Sequence, residues 1–98
     1  MIDSEKFEST CKQTLQSLAL LKPKIDIVDN LFVSTMFKDI ESTIGCVDED
    51  YHTDSSWYDW SMTIIDSLLQ IIDKKQKLVI DCLTQLYKIC STIKSALD

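Results

Sequence analysis

The sequence predicts an all-α protein, an antiparallel bundle of three or four helices in a single domain at residues 1–98. Three observations lead to this fold class. The 98 residues include one Gly and one Pro, too few for the many turns of a β architecture. Apolar residues make up 45% of the chain and charged residues 27%, a balance typical of globular proteins. Apolar side chains also recur at spacings of three and four, the period of an amphipathic helix.

The first half of the chain is predicted to form two helices, at about residues 3–22 and 24–44. Pro23 should end the first helix, because its ring lacks an N–H donor and disfavours the α conformation of the preceding residue. The apolar stripe nevertheless continues in phase through Ile25 and Val28, as it would in a kinked helix. Gly45 is the expected left-handed residue that ends the second helix.

The second half follows a connection at about residues 45–56 and begins with Ser56 as a predicted N-cap. From Ile65 to Ala96 the apolar ladder keeps its spacing, and Lys75 is its one polar member. This pattern fits one helix of roughly forty residues, about 60 Å long, and hence a long helical hairpin. It also fits two helices, at about 56–73 and 76–97, with a break in the polar cluster 73–77.

The charge distribution indicates the kind of partner. The chain carries a formal net charge of −6, and residues 45–60 hold five acids and no base. Such a chain is repelled by nucleic-acid phosphate and by anionic lipid headgroups, so we expect neither nucleic-acid nor membrane binding. All ten basic residues are Lys, which leaves no Arg fork to clamp an anionic substrate. A protein partner with a basic surface is favoured.

The acidic and aromatic stretch at the centre of the chain is the first candidate binding surface. Trp and Tyr bury large rigid surfaces at low entropic cost, and surrounding carboxylates steer a basic partner. The alternative is that Trp57 and Trp60 anchor the third helix in the core and that the acids are loop and cap residues. The hypothesised partner-binding residues are Asp48, Glu49, Asp50, Tyr51, Asp54, Trp57, Tyr58 and Asp59.

The second candidate is an apolar association surface near the start of the second helix. Its residues fill about a turn and a half, and a small monomer would have difficulty in burying them together with the ladder in the second half. Efficient four-helix packing is the alternative, whereas an exposed surface would support a homo-oligomer or a client site. The residues concerned are Leu31, Phe32, Val33, Met36 and Phe37.

The connection also contains a pattern like that of a calcium-binding loop, running from Asp48 to Asp59. An EF-hand loop needs oxygen ligands, a Gly at position 6 and a bidentate Glu at position 12. Here position 5 is His52, position 6 is Thr53 and position 12 is Asp59. We therefore predict a solvated acidic loop without a bound metal.

Asp66-Ser67-Leu68 resembles the short sequence on which acyl carrier proteins bear their phosphopantetheine, and those proteins are also small acidic helical bundles. In this chain the tripeptide falls inside a predicted helix and no Gly precedes it. We predict no cofactor.

The cysteines and the N-terminus indicate a reducing compartment. Four Cys occur without a CxxC pair, and Cys11, Cys82 and Cys90 fall on apolar stripes, so we expect reduced core thiols. The first residues show neither the basic flank nor the apolar run of a signal peptide. The expected location is the cytoplasm, or the host cytoplasm for a protein of a virus or pathogen.

These observations favour a non-enzymatic protein that acts by contact with another protein. One His, no Arg and thiols on core stripes supply no convergent acid, base and nucleophile. A small acidic binder would engage or inhibit its partner in the manner of an immunity protein, antitoxin or viral inhibitor. The alternative is a secretion chaperone or a constitutive subunit of a helical complex that uses its apolar faces, with a carrier-like or calcium-binding domain as a more distant one.

Overall fold

The computed structural model describes residues 4–45, 55–72 and 76–97, and these contain four α-helices. The helices are α1 (Ser4–Val28), α2 (Leu31–Gly45), α3 (Ser55–Ile71) and α4 (Lys77–Leu97). They pack as a helical bundle, which confirms the predicted fold class. Within the described helices, none combines the length and apolar character that crossing a membrane requires.

Helix α1 does not end at Pro23, contrary to the prediction. It continues for five residues to Val28 with Pro23 inside it. Its apolar face stays in phase across the proline, so that Leu21 and Ile25 are both buried in the core. Burial of this face outweighs the cost of an interior proline, about 3 kcal/mol.

The turn between α1 and α2 lies at Asp29 and Asn30, and the second helix begins at Leu31 rather than at residue 24. Asp29 adopts a left-handed backbone with φ of 49°, the conformation that commonly ends a helix. Gly45 was predicted to end the second helix in that conformation. It is indeed the last residue of α2, but its φ is not positive. The left-handed position therefore belongs to a residue type that tolerates it less well than glycine does.

The second half of the chain forms two helices, so the break in the polar cluster 73–77 is observed and the single long helix is not. Helix α3 ends at Ile71, and α4 begins at Lys77. The break comes where the apolar ladder reaches the run of charged residues that starts at Asp73, which offers no apolar face to bury. The bundle is consequently a short four-helix structure measuring 43 × 23 × 16 Å.

Helix α4 is the central element of the bundle, because it packs against each of the other three helices. Helix α1 also packs against α2, whereas the described parts of α2 and α3 make no close backbone contact. The position of α4 explains why it contributes the most buried side chains. These are Val79, Cys82, Leu83, Leu86, Ile89, Cys90 and Ile93.

The helices run antiparallel along the chain, which gives the bundle two distinct ends. Ile27 of α1 and Leu78 of α4 line one cleft, so the end of α1 lies beside the start of α4. Asp59 near the start of α3 forms an ion pair with Lys94 near the end of α4. One end therefore carries the α1–α2 turn, the last turn of α3 and the first turn of α4. The other carries Gly45 and Ser55, which the acidic connection joins.

Candidate interaction surfaces

Large apolar side chains are exposed at the end that carries the α1–α2 turn, which we call the apolar end. It is defined by Ile27, Leu31, Phe32, Ile71 and Leu78. Ile27 is 71% exposed, Leu31 80%, Phe32 69% and Ile71 77%, and Leu78 is exposed to a smaller extent. Single exposed apolar residues are common, but several of them on one end of a small protein make that end a candidate interaction surface.

The turn before α2 determines which side chains are exposed there. The Asn30 Oδ1 accepts hydrogen bonds from the backbone N–H of Phe32 at 3.0 Å and of Val33 at 3.3 Å. This is an N-cap, and it fixes the rotational phase with which α2 begins. With that phase Val33 is buried, and Leu31 and Phe32 are exposed.

The five residues of the predicted apolar association surface thus divide between the surface and the core. Leu31 and Phe32 are exposed, Met36 is partly buried against the core, and Val33 and Phe37 are almost fully buried. Val33 and Phe37 belong to the packing of α2, so we leave them out of the candidate surface. The candidate surface also includes Ile27, Ile71 and Leu78, which were not predicted from the sequence.

The described charged residues around the apolar end include as many acids as bases. The last two turns of α1, the turn after it and the first turns of α4 carry three Lys and three Asp, all exposed. In these described segments the formal charges sum to zero, whereas the whole chain carries −6; Asp73, Lys74 and Lys75, which lie outside the described residues, add a net +1 to the sequence between α3 and α4. The charged residues of the described segments are Lys22, Lys24, Asp26, Asp29, Lys77 and Asp81.

Most of the predicted acidic and aromatic surface lies outside the described residues. Asp48, Glu49, Asp50, Tyr51 and Asp54 all fall between Gly45 and Ser55, as do most of the positions of the calcium-loop pattern. The described members are Trp57, Tyr58 and Asp59.

Tyr58 is a core residue with no exposed surface. Its ring packs edge to face against Trp57, with centroids 4.9 Å apart and planes at 83°, a favourable aromatic geometry. Burial raises the pKa of Tyr58 above its usual range. The charges of Cys11 and Cys90 raise this pKa further, to a smaller extent. Among the described residues its hydroxyl has no hydrogen-bond partner. We therefore leave Tyr58 out of the candidate surface.

The two tryptophans have different environments. Trp57 is partly buried and packs against the core, as expected for an anchor of α3. Trp60 is 61% exposed, and it lies next to Asp59, whose carboxylate pairs with Lys94 at 2.5 Å. Asp59 and Lys94 also line a polar groove between α3 and α4, together with Met62, Thr63, Asp66, Ser67 and Tyr87. An exposed indole suits contact with a cationic side chain of a partner.

The three described cysteines are free thiols in the core, as predicted. Burial raises the pKa of Cys11, and the charge of Glu8 adds to it. Burial alone raises the pKa of Cys90 from 9.0 to about 12. Since the thiolate is the reactive form, a raised pKa lowers the reactivity of these thiols, which agrees with a role in core packing.

We expect the free energy of unfolding to fall as the pH rises from about 9 towards about 12. In this window the Cys90 thiol stays neutral in the folded protein, while the unfolded thiol ionises above its ordinary pKa of 9.0. Ionisation stabilises the unfolded chain, so stability is complete below pH 9 and declines above it. Urea titrations at about pH 7, 9 and 10.5 measure this decline. A Cys90→Ala variant should decline less steeply, and an equal slope in both proteins would contradict the assignment.

The described residues also bear on metal binding and on the carrier-like tripeptide. No three His, Cys, Asp or Glu side chains in that part of the chain are placed to hold a metal ion together. Ser67, of the carrier-like tripeptide, lies well inside α3 and donates its hydroxyl to the Thr63 carbonyl at 2.9 Å. Its hydroxyl is thus engaged with its own helix.

The fold and these surfaces define the chain as an all-α four-helix bundle with an exposed apolar end. Comparisons with protein-family models, with curated proteins and with solved structures gave no match.

Proposed function

We propose that this chain is a non-enzymatic protein-interaction protein that binds a partner through its apolar end. The observation that carries the proposal is the exposure of Ile27, Leu31, Phe32 and Ile71 together at that end. Leaving large apolar side chains in water forgoes about 1.5–3 kcal/mol each relative to burial. A partner that covers them recovers this free energy, as a client does on a secretion chaperone or a neighbouring subunit does in a helical complex.

The proposal is tested by purifying the tagged protein from the cells that produce it. A Leu31→Asp variant should lose the co-purifying partner, because a desolvated carboxylate within an apolar contact costs several kcal/mol. Leu20→Asp is the matched control, since Leu20 is also 80% exposed but lies about two turns before the end of α1. Equal retention of the partner by both variants would refute the proposal.

A second candidate function is supported by Trp60 and Asp59 near the acidic connection. Here the chain engages a basic partner and neutralises it, as an immunity protein, antitoxin or viral inhibitor does. Binding of this kind weakens steeply with ionic strength, whereas apolar contact hardly changes. Measuring the partner's affinity at about 50 and 500 mM salt separates the two functions, and Trp60→Ala should weaken only the second kind of binding.

A further inference from the structure

We infer that the partner at the apolar end is a second copy of this chain, joined end to end about a two-fold axis. The inference rests on the proposed function, because it specifies what covers the surface proposed there. A two-fold contact places the same patch of each copy against the other, so the patch must be self-complementary in shape and in charge. The size of the end face and its charge can be examined in the described residues.

The end face is large enough for a specific contact. The backbone measures 23 × 16 Å across the long axis of the bundle. Side chains add about 3 Å at each edge, so the face covers on the order of 600 Å². Two such faces could bury at most about 1,200 Å² in total, which lies at the lower limit of standard specific interfaces. An apolar centre with a polar rim is also the usual composition of such a contact.

The electrostatics favour this end over the rest of the molecular surface. Two copies that each carry −6 repel one another, and the repulsion is smallest where the local charge is zero. The apolar end comes close to this condition, because in its described segments Lys22, Lys24 and Lys77 balance Asp26, Asp29 and Asp81. The residues between α3 and α4, which are not described, add only a net +1. Mixed charges on the rim allow a Lys of one copy to lie near an Asp of the other.

The position of the acidic connection also favours end-to-end pairing. It joins Gly45 to Ser55 at the opposite end of a bundle that is 43 Å long. Pairing through the apolar ends keeps the anchors of the two connections far beyond the Debye length of about 8 Å, so their acids do not oppose association.

Sedimentation equilibrium of the intact protein between about 1 µM and 1 mM tests the inference. We expect a monomer–dimer equilibrium with a dissociation constant on the order of 10 µM. Leu31→Asp should weaken it at least about 100-fold, because the symmetry introduces two carboxylates into one apolar contact. Leu20→Asp should leave it unchanged. A wild-type monomer throughout this range, or equal weakening by both variants, would overturn the inference.

Small-angle X-ray scattering of the same samples distinguishes an end-to-end dimer from a side-by-side dimer. An end-to-end dimer has a longest dimension roughly twice the 43 Å of one copy, whereas a side-by-side dimer would overturn the inference. The wild-type protein could be a monomer while the Leu31→Asp variant still loses the cellular partner. That pair of results would overturn the self-association alone. In that case the proposed function stands and its partner is a different protein.

Discussion

Replacing Leu86 by Ala is expected to lower the free energy of unfolding by about 3 kcal/mol. Leu86 has no exposed surface and lies on α4, the helix that packs against all three others. The substitution removes buried methyl groups and leaves a cavity that three neighbouring helices cannot close together. A chain of this size has about 5–15 kcal/mol of stability in total. The loss is therefore a large fraction of it and should lower the melting temperature by about 15 °C.

Urea titration followed by circular dichroism measures this effect at a fixed protein concentration. Leu20→Ala is the matched control, because it makes the same chemical change at a side chain that is 80% exposed. That variant should change the free energy of unfolding by less than about 0.5 kcal/mol. Similar losses in the two variants would mean that the burial of α4 is not what holds the bundle together.

The fold class was predictable because helix period and composition are local properties of the chain. Buried positions such as Leu18, Leu86 and Ile93 fall where the stripe of three-and-four spacing places them. The helix boundaries were less predictable, because they depend on how much apolar face remains to be buried beyond a turn residue. Pro23 did not end α1, and Gly45 did not adopt the left-handed conformation.

The candidate surface could be predicted only in part. Residues 31–33 are three consecutive apolar residues, and composition alone does not show which of them faces the core. The N-cap at Asn30 sets that phase, and the pair Asp29-Asn30 was the available signal, since both residue types favour turns and helix caps. Ile71 was missed for a different reason, because its exposure depends on α3 ending there rather than continuing.

Under the two proposed functions, the ends of the bundle would separate two kinds of interaction. Partner contact at the apolar end is governed by desolvation of Leu31 and Phe32, which is insensitive to salt. Contact near Trp60 and Asp59 is governed by charge and is screened by salt. Because the ends are separated by the length of the bundle, substitutions at one end should not alter binding at the other, and their effects should add.

Pro23→Ala is expected to stabilise the protein by about 2 kcal/mol. An interior proline costs a helix about 3 kcal/mol, since it removes one backbone hydrogen bond and its ring crowds the preceding turn. Alanine would recover that cost, but it would also loosen the unfolded chain and give back up to about 1 kcal/mol. Pro23 itself is exposed, so the change removes no core packing.

The sign of this prediction tests the continuity of α1 through the proline. If residues 24–28 are helical in solution as they are in the structure, the restored N–H of residue 23 finds the carbonyl of Ala19 and the melting temperature rises by roughly 10 °C. Amide hydrogen exchange at Ile25 and Val28 should slow in the variant for the same reason. Gln16→Ala, at an exposed position of the same helix, controls for helix propensity and should change stability by only a few tenths of a kcal/mol. A loss of stability in Pro23→Ala would instead mean that α1 ends at the proline, because alanine would then only increase the entropy of the unfolded chain.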